Sequence, residues 1–171
     1  MSVAPNKIIS VDLAIRKSGI AIFEGTHLIS TATIEKTLGQ VYKPLDCYQL
    51  EDGLCRDGGL MSYLDKNAVI LIEYNEMTKG KPRLIEFALE VKGYLIGRGY
   101  HVIMMNATHW MKVADRCLAV KRKSCPAGRD YNKLWISKEC EHLFPKFPFK
   151  SQDEKDAALM GAIYLVSPTS F

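Results

Sequence analysis

Four carboxylates stand where their types and surroundings would let them act together. Asp12 ends the apolar run Ile8, Ile9, Val11, and Glu73 ends a second run, AVILI over 68–72. Short, β-rich apolar runs of this kind read as strands buried on both faces. An acid at the exit of such a strand is costly to hold unless a partner or a metal uses it. Asp153 and Asp156 open a strongly apolar segment and, three residues apart, share one helix face. Each acid also has a plainer structural role open to it: a turn cap for Asp12, a favourable seat at a helix N-terminus for the other two. That seat accounts for Asp153 better than for Asp156, which stands where the apolar face begins. Four carboxylates brought together repel one another, and divalent cations resolve the repulsion. Hard oxygen ligands suit magnesium or manganese. Two such ions roughly 3.5–4 Å apart can activate a water and stabilise the departing oxygen of a phosphodiester.

The elements that must position these acids follow from periodicity and turn chemistry. Lys7 to Glu24, KIISVDLAIRKSGIAIFE, predicts a strand, a tight connection carrying Arg16 and Lys17, and a returning antiparallel strand beyond Ser18 and Gly19. Glu24-Gly25-Thr26 reads as a hairpin turn into a third strand, His27 to Ile34. Residues 1–6 read as a loose tail. Between Pro44 and Lys66 helical pieces are expected, interrupted at Gly53, Gly58 and Gly59. After the strand ending at Glu73, apolar residues at helical spacing predict an amphipathic helix from Pro82 to Ile96, stopped by Gly97 and Gly99. His101 to Met105 reads as a fifth strand, with Thr108 as cap of a helix through Trp110, Val113 and Cys117. A further helix runs from Asp130 or Tyr131 to Leu143. Beyond the link FPKFPF, Ser151 and Glu154 form a capping-box signature for a last helix reaching Val166. The class is α/β.

The chain has 171 residues, 47% apolar and 25% charged, the composition of one ordinary globular domain spanning 1–171. No apolar run is long enough to span a bilayer and no signal peptide is visible at MSVAPNK, so no membrane association and a cytoplasmic location are expected. Cys47, Cys55, Cys117, Cys125 and Cys140 are odd in number and lack a C-x-x-C pair, which fits reduced thiols. With His142 they match no common zinc module. His27, His101, His109 and His142 show no nucleophile spacing, and Trp110 and Trp135 read as core. The net charge of +4 is unevenly spread: between Lys112 and Lys138 eight bases face two acids, an excess of +6. This stretch holds Lys121, Arg122, Lys123, Arg129, Lys133 and Lys138, and a concentrated basic segment is the footprint of a polyanion binder. Lys79 and Lys81 add to it from the loop after Glu73.

Strand–Asp12–hairpin, then ILIEYNEMTKG around Glu73, then the helix opening D-x-x-D-A at Asp153 to Ala157, resembles the RuvC-like Holliday junction resolvases of the ribonuclease H-like superfamily. The resemblance runs over residues 7–166, with the acids in the same order at all four places. It implies a ribonuclease H-like fold: a five-stranded mixed sheet, three antiparallel strands then two parallel ones, flanked by helices. It also implies a magnesium-dependent crossover junction endodeoxyribonuclease, manganese substituting, that nicks four-way branched DNA as a homodimer. Asp12, Glu73, Asp153 and Asp156 would hold two ions. Relatives wedge the junction open with an aromatic residue shortly after the Glu; here Tyr74 or Met77 would serve, or neither. Lys133, with Lys138 second, would contact the scissile phosphate. Residues 79, 81, 121–123, 129, 133 and 138 would meet DNA. The chain departs from the family at Ala14, where a glycine is usual, and in the longer, more basic stretch 119–130; the fit is to a divergent, phage-type member. A two-fold junction calls for an isologous pair of active sites, and the helix from Pro82 to Ile96 is either the contact or simply core.

Three other readings remain. A less selective nuclease of the same fold, cutting forks, flaps or RNA, would have the same active site. A noncatalytic DNA-binding protein would not need the carboxylates. A phosphotransferase of the actin–sugar kinase type would need a second domain and further phosphate loops, for which 171 residues leave no room.

Overall fold

A computed structural model of the chain describes residues 6–35, 51, 53–74, 82–118 and 131–171. Among these, five strands form one sheet: β1 (Lys7–Asp12), β2 (Lys17–Glu24), β3 (His27–Glu35), β4 (Val69–Tyr74) and β5 (His101–Asn106). The order across the sheet is β3-β2-β1-β4-β5. β1 pairs antiparallel with β2, and β2 with β3. β4 pairs parallel with both β1 and β5. This is the expected mixed sheet, three antiparallel strands followed by two parallel ones.

Among the described residues, the helices α1 (Pro82–Gly97), α2 (Ala107–Cys117), α3 (Tyr131–Leu143) and α4 (Gln152–Val166) flank it. Side chains alternate across a strand, so β1 feeds two cores. Ile8 joins Trp110, Trp135 and the apolar face of α4, while Ile9 and Val11 join Phe87, Val91 and Leu95 of α1 on the other side. Coverage of both faces is why β1 and β4 read as continuous apolar runs rather than alternating ones.

α4 lies unusually close to β1 and β2. A Cβ on Gly161 would come within 2.4 Å of the Phe23 ring and 2.8 Å of the Ser10 hydroxyl. Ser10, fully buried, donates its hydroxyl proton to the Ala157 carbonyl. A serine inside an apolar strand is thus satisfied by the helix it faces, as a buried hydroxyl must be.

Three local expectations are corrected. Asn6, read as part of the loose tail, accepts a bond from the Gly25 amide and so closes the β2–β3 turn, where Gly25 has φ +56°. Asn106, not Thr108, caps α2: its side chain accepts from the His109 amide, because β5 runs straight into the helix and leaves Thr108 inside the first turn. In the weakly patterned middle segment the expected helical pieces are found at 53–55 and as a 3₁₀ turn at Leu60–Tyr63, but Gly53, read as an interruption, is itself helical. Among the described residues no helix is long and apolar enough to cross a membrane.

The close seat of α4 is testable. Gly161→Ala should destabilise the protein by about 1–3 kcal/mol through overpacking. Gly93→Ala on α1, where an added Cβ meets nothing within 4 Å, should stabilise it by about 0.5–1 kcal/mol. Urea denaturation of both variants reads the contrast.

Candidate carboxylate-lined active site

The sheet register brings the first two acids together. β1 and β4 are parallel neighbours and Val11 pairs with Ile72, so the next residues, Asp12 and Glu73, leave adjacent strands at the same end. The third and fourth acids arrive on α4. Gly19 is the cross-strand partner of Asp12, and a Cβ there would sit 2.0 Å from the Asp153 carbonyl oxygen. Only a residue without a side chain lets the helix start press onto β2 beside Asp12.

That helix start is held from three sides. Ser151 caps it, its hydroxyl accepting from the Glu154 amide. Thr33 on β3 bonds to the same Ser151 hydroxyl. Glu154 is fully buried and accepts from the hydroxyls of Thr31 and Thr33, each at 2.8 Å, and from the Lys150 amide at 2.9 Å. The capping box is therefore altered. Glu154 reaches past the cap residue to Lys150 and across to β3, where the two threonines point to one face.

The four acids feel one another. Asp12 has its pKa raised well above the usual carboxylate range, first by burial and then by the charges of Glu73, Asp156 and Asp153. Glu73 is pushed up to about 7 by burial and by Asp156, with the Trp110 indole pulling the other way. Asp156 is pushed up to about 6 by burial; a bond from Gln152 opposes this, Asp153 adds to it, and Lys133 and Lys155 oppose it. Gln152 donates to the Asp156 carboxyl at 2.7 Å and accepts from Ser137 of α3, so two helices orient that acid. Lys17 lies 3.8 Å from Asp153 and 3.6 Å from Glu35. Among the described residues no three His, Cys, Asp or Glu side chains are gathered as a ready metal-ligand set. The donor chemistry nevertheless fits hard divalent cations: half-buried carboxylates that repel one another are what such an ion neutralises.

Lys133 and Lys138 are exposed on α3, and Lys133 is near enough to Asp156 to favour its charge. Tyr74, the last residue of β4, is half-buried and packs against the core on the α1 side. Met77, Lys79, Lys81, Lys121, Arg122, Lys123 and Arg129 lie outside the described residues, as do Cys47 and Cys125. Cys55 and Cys117 are exposed, and Cys140 is buried, its thiol donating to the Lys155 carbonyl and its pKa pushed up to about 12 by burial. Both tryptophans are fully buried, as expected.

Gln152, Lys17, Glu154 and Trp110 had no site role in the sequence reading. Lys17 had the best signal, five residues beyond Asp12 in the hairpin that returns beside it. Gln152 stands one helical turn before Asp156, a local signal, whereas Glu154 and Trp110 depend on contacts far apart in the chain.

The shifts give a pH dependence with a definite sign. Glu73 holds its proton more tightly folded than unfolded, so its contribution to stability is full below about pH 4.5 and is lost as pH rises through about 7. Asp156 acts in the same direction between about 3.8 and about 6. Metal-free protein should melt lower at pH 8 than at pH 5. Glu73→Gln should raise the pH 8 melting temperature by roughly 4–8 °C, equivalent to about 2 kcal/mol, and do little at pH 4.5. Differential scanning calorimetry in chelator measures both.

No protein-family model and no curated sequence matches the chain. Solved structures do. The Thermus thermophilus RuvC in complex with a Holliday junction superposes with a TM-score of 0.57 at 11% identity, covering 95% of this chain and 94% of that one. A second structure of Thermus thermophilus RuvC gives 0.56 at 13% identity, covering 95% of each chain. The fowlpox virus resolvase bound to substrate Holliday junction DNA gives 0.54 at 21% identity, covering 95% of this chain and 98% of that one. Over nearly its whole length, then, the chain has the ribonuclease H-like fold of the RuvC-like resolvases.

Proposed function

We propose that the protein is a metal-dependent endonuclease that binds branched DNA, four-way junctions above all, and nicks its phosphodiesters. The observation that carries this reading is the convergence on Asp12 of three charges from two separate elements, Glu73 of β4 and Asp153 and Asp156 of α4. The fold that delivers them is one on which two of the superposed proteins hold Holliday junctions.

Asp12, Glu73, Asp153 and Asp156 would hold two magnesium ions, manganese substituting. When bound, the ions supply an activated water and a stabilised leaving oxygen. The chain's own residues do the rest. Gln152 keeps the Asp156 carboxyl turned in, and Ser137 keeps Gln152 in place. Lys133, exposed and near enough to act on the charge of Asp156, would meet the phosphate being cut. Lys138 one turn and more along α3, and Lys79, Lys81, Lys121, Arg122, Lys123 and Arg129 in the sequence around it, would neutralise flanking phosphates without reading bases. Tyr74 or Met77 would wedge the junction. A homodimer would place two such sites about the junction's two-fold axis. The core face of α1 is spent on Phe87, Val91 and Leu95, which leaves Leu89 and Ile96, each about half exposed, as its candidate contact.

A panel of end-labelled substrates tests the reading: four-way junction, fork, flap, plain duplex and RNA hybrid, in magnesium and in manganese. Nicking of the junction in preference to duplex is expected; equal cutting of plain duplex removes the junction specificity and favours the broader nuclease. Asp12→Asn and Asp156→Asn should lower junction cleavage by roughly a thousandfold or more while gel-shift affinity for the junction persists. A variant cutting at the wild-type rate leaves the ligand set. Replacing Lys121, Arg122 and Lys123 together by Ala should reduce the slope of log affinity against log salt by up to about 3. An unchanged slope takes that cluster off the DNA.

A further inference from the structure

Trp110 presents a polar atom that the core does not explain. Its side chain is fully buried on α2, yet its indole Nε1–H has no hydrogen-bond partner. Buried polar groups without partners are rare and call for an account. The topology shows what this one faces. β4 and β5 are parallel with Glu73 opposite Met105, and α2 begins at Ala107, one residue beyond the end of β5. The first turns of α2 therefore lie beside the exit of β4, where Glu73 points into the site. Ala107, Val113 and Ala114 are buried along with Trp110, so the indole is directed inward rather than to solvent. Its N–H lies beside the Glu73 carboxyl without closing to a formed bond.

We propose that Trp110 is a positioning residue for Glu73: its buried N–H is the donor that holds the Glu73 carboxylate toward Asp12 when a divalent cation is bound. This rests on the metal-dependent reading above and deepens it. A ligating carboxylate keeps one oxygen for the cation and offers the other to a donor, and such outer donors set ligand orientation and affinity. Beside Glu73 lie Asp156, whose charge repels it, and Trp110, whose N–H is the donor on hand. Indole suits the role because it donates one proton, accepts none, and adds no charge to a dry site. A lysine there would gain attraction but would bring its own desolvation penalty.

Trp110→Phe keeps an aromatic ring, though a smaller one, and removes the donor. Isothermal titration with Mn2+ alone, in the absence of DNA, should show affinity weakened about 10–100-fold, and circular dichroism should show the fold intact. In wild-type protein labelled with 15N, the Trp110 indole N–H resonance should move downfield on adding Mg2+ while that of Trp135 stays. A merely structural tryptophan would change the melting temperature of the variant but leave the Mn2+ affinity and the wild-type resonance where they were, and that result overturns the proposal. Should Trp110→Phe fail to fold, the wild-type resonance decides alone. If wild-type protein binds no Mn2+ at all, the metal-dependent reading fails and this one falls with it; if it binds and the resonance is still, only this one falls.

Discussion

Mutual repulsion among crowded, half-buried acids sets the terms for everything around it. Asp12 carries the burden of three neighbouring carboxylates as well as burial, and no fold would assemble that cluster without compensating structure. The compensation lies in how firmly the three elements are held. β1 and β4 are paired to each other and buried on both faces, so neither acid can retreat by moving its strand. α4 is bound to β1 through Ser10 and Ala157 and packed on Phe23 through Gly161. Apolar burial along the helix body stabilises an arrangement that its first turn opposes.

Two acids separated by one residue on that turn have opposite fates. Glu154 is buried and accepts from two threonine hydroxyls and a backbone amide, a set of donors that can hold a carboxylate inside a protein. Asp156 has one side-chain amide and two nearby lysines, and its pKa rises all the same. The first acid ties the helix to the sheet. The second is held short of full compensation, which is the condition of a group left able to bind something else. Such contrast between neighbouring carboxylates is characteristic of functional sites.

Glycine matters here by what its absence of a side chain permits. At Gly19 the missing Cβ lets the backbone of Asp153 sit against β2, directly beside the strand position paired with Asp12. At Gly161 it lets the same helix sit down on Phe23. One helix with two such points of contact is fixed in both tilt and depth, and the position of its carboxylates follows.

How far the sequence alone reached, and where it stopped, follows from the range of the interactions involved. Strand-length apolar runs ending in acids, the hairpin at Gly25, the helical spacing from Pro82 and the Ser151 cap are all local patterns, and the strands, helices and candidate acids were legible from them. The acid-bearing helix was legible too, because its cap and its apolar body lie within sixteen residues. What lay beyond local pattern was contact between distant stretches. Glu154 meets Thr31 and Thr33 across more than a hundred residues; Trp110 meets Glu73 only because β5 lies next to β4; Gly19 is needed only because α4 lands on it. Asn106 rather than Thr108 caps α2 because a strand ends there, which depends on its pairing with β4. Local residue order determined which chemistry was on offer, and the tertiary structure decided which groups meet, because burial and charge act through space rather than along the chain.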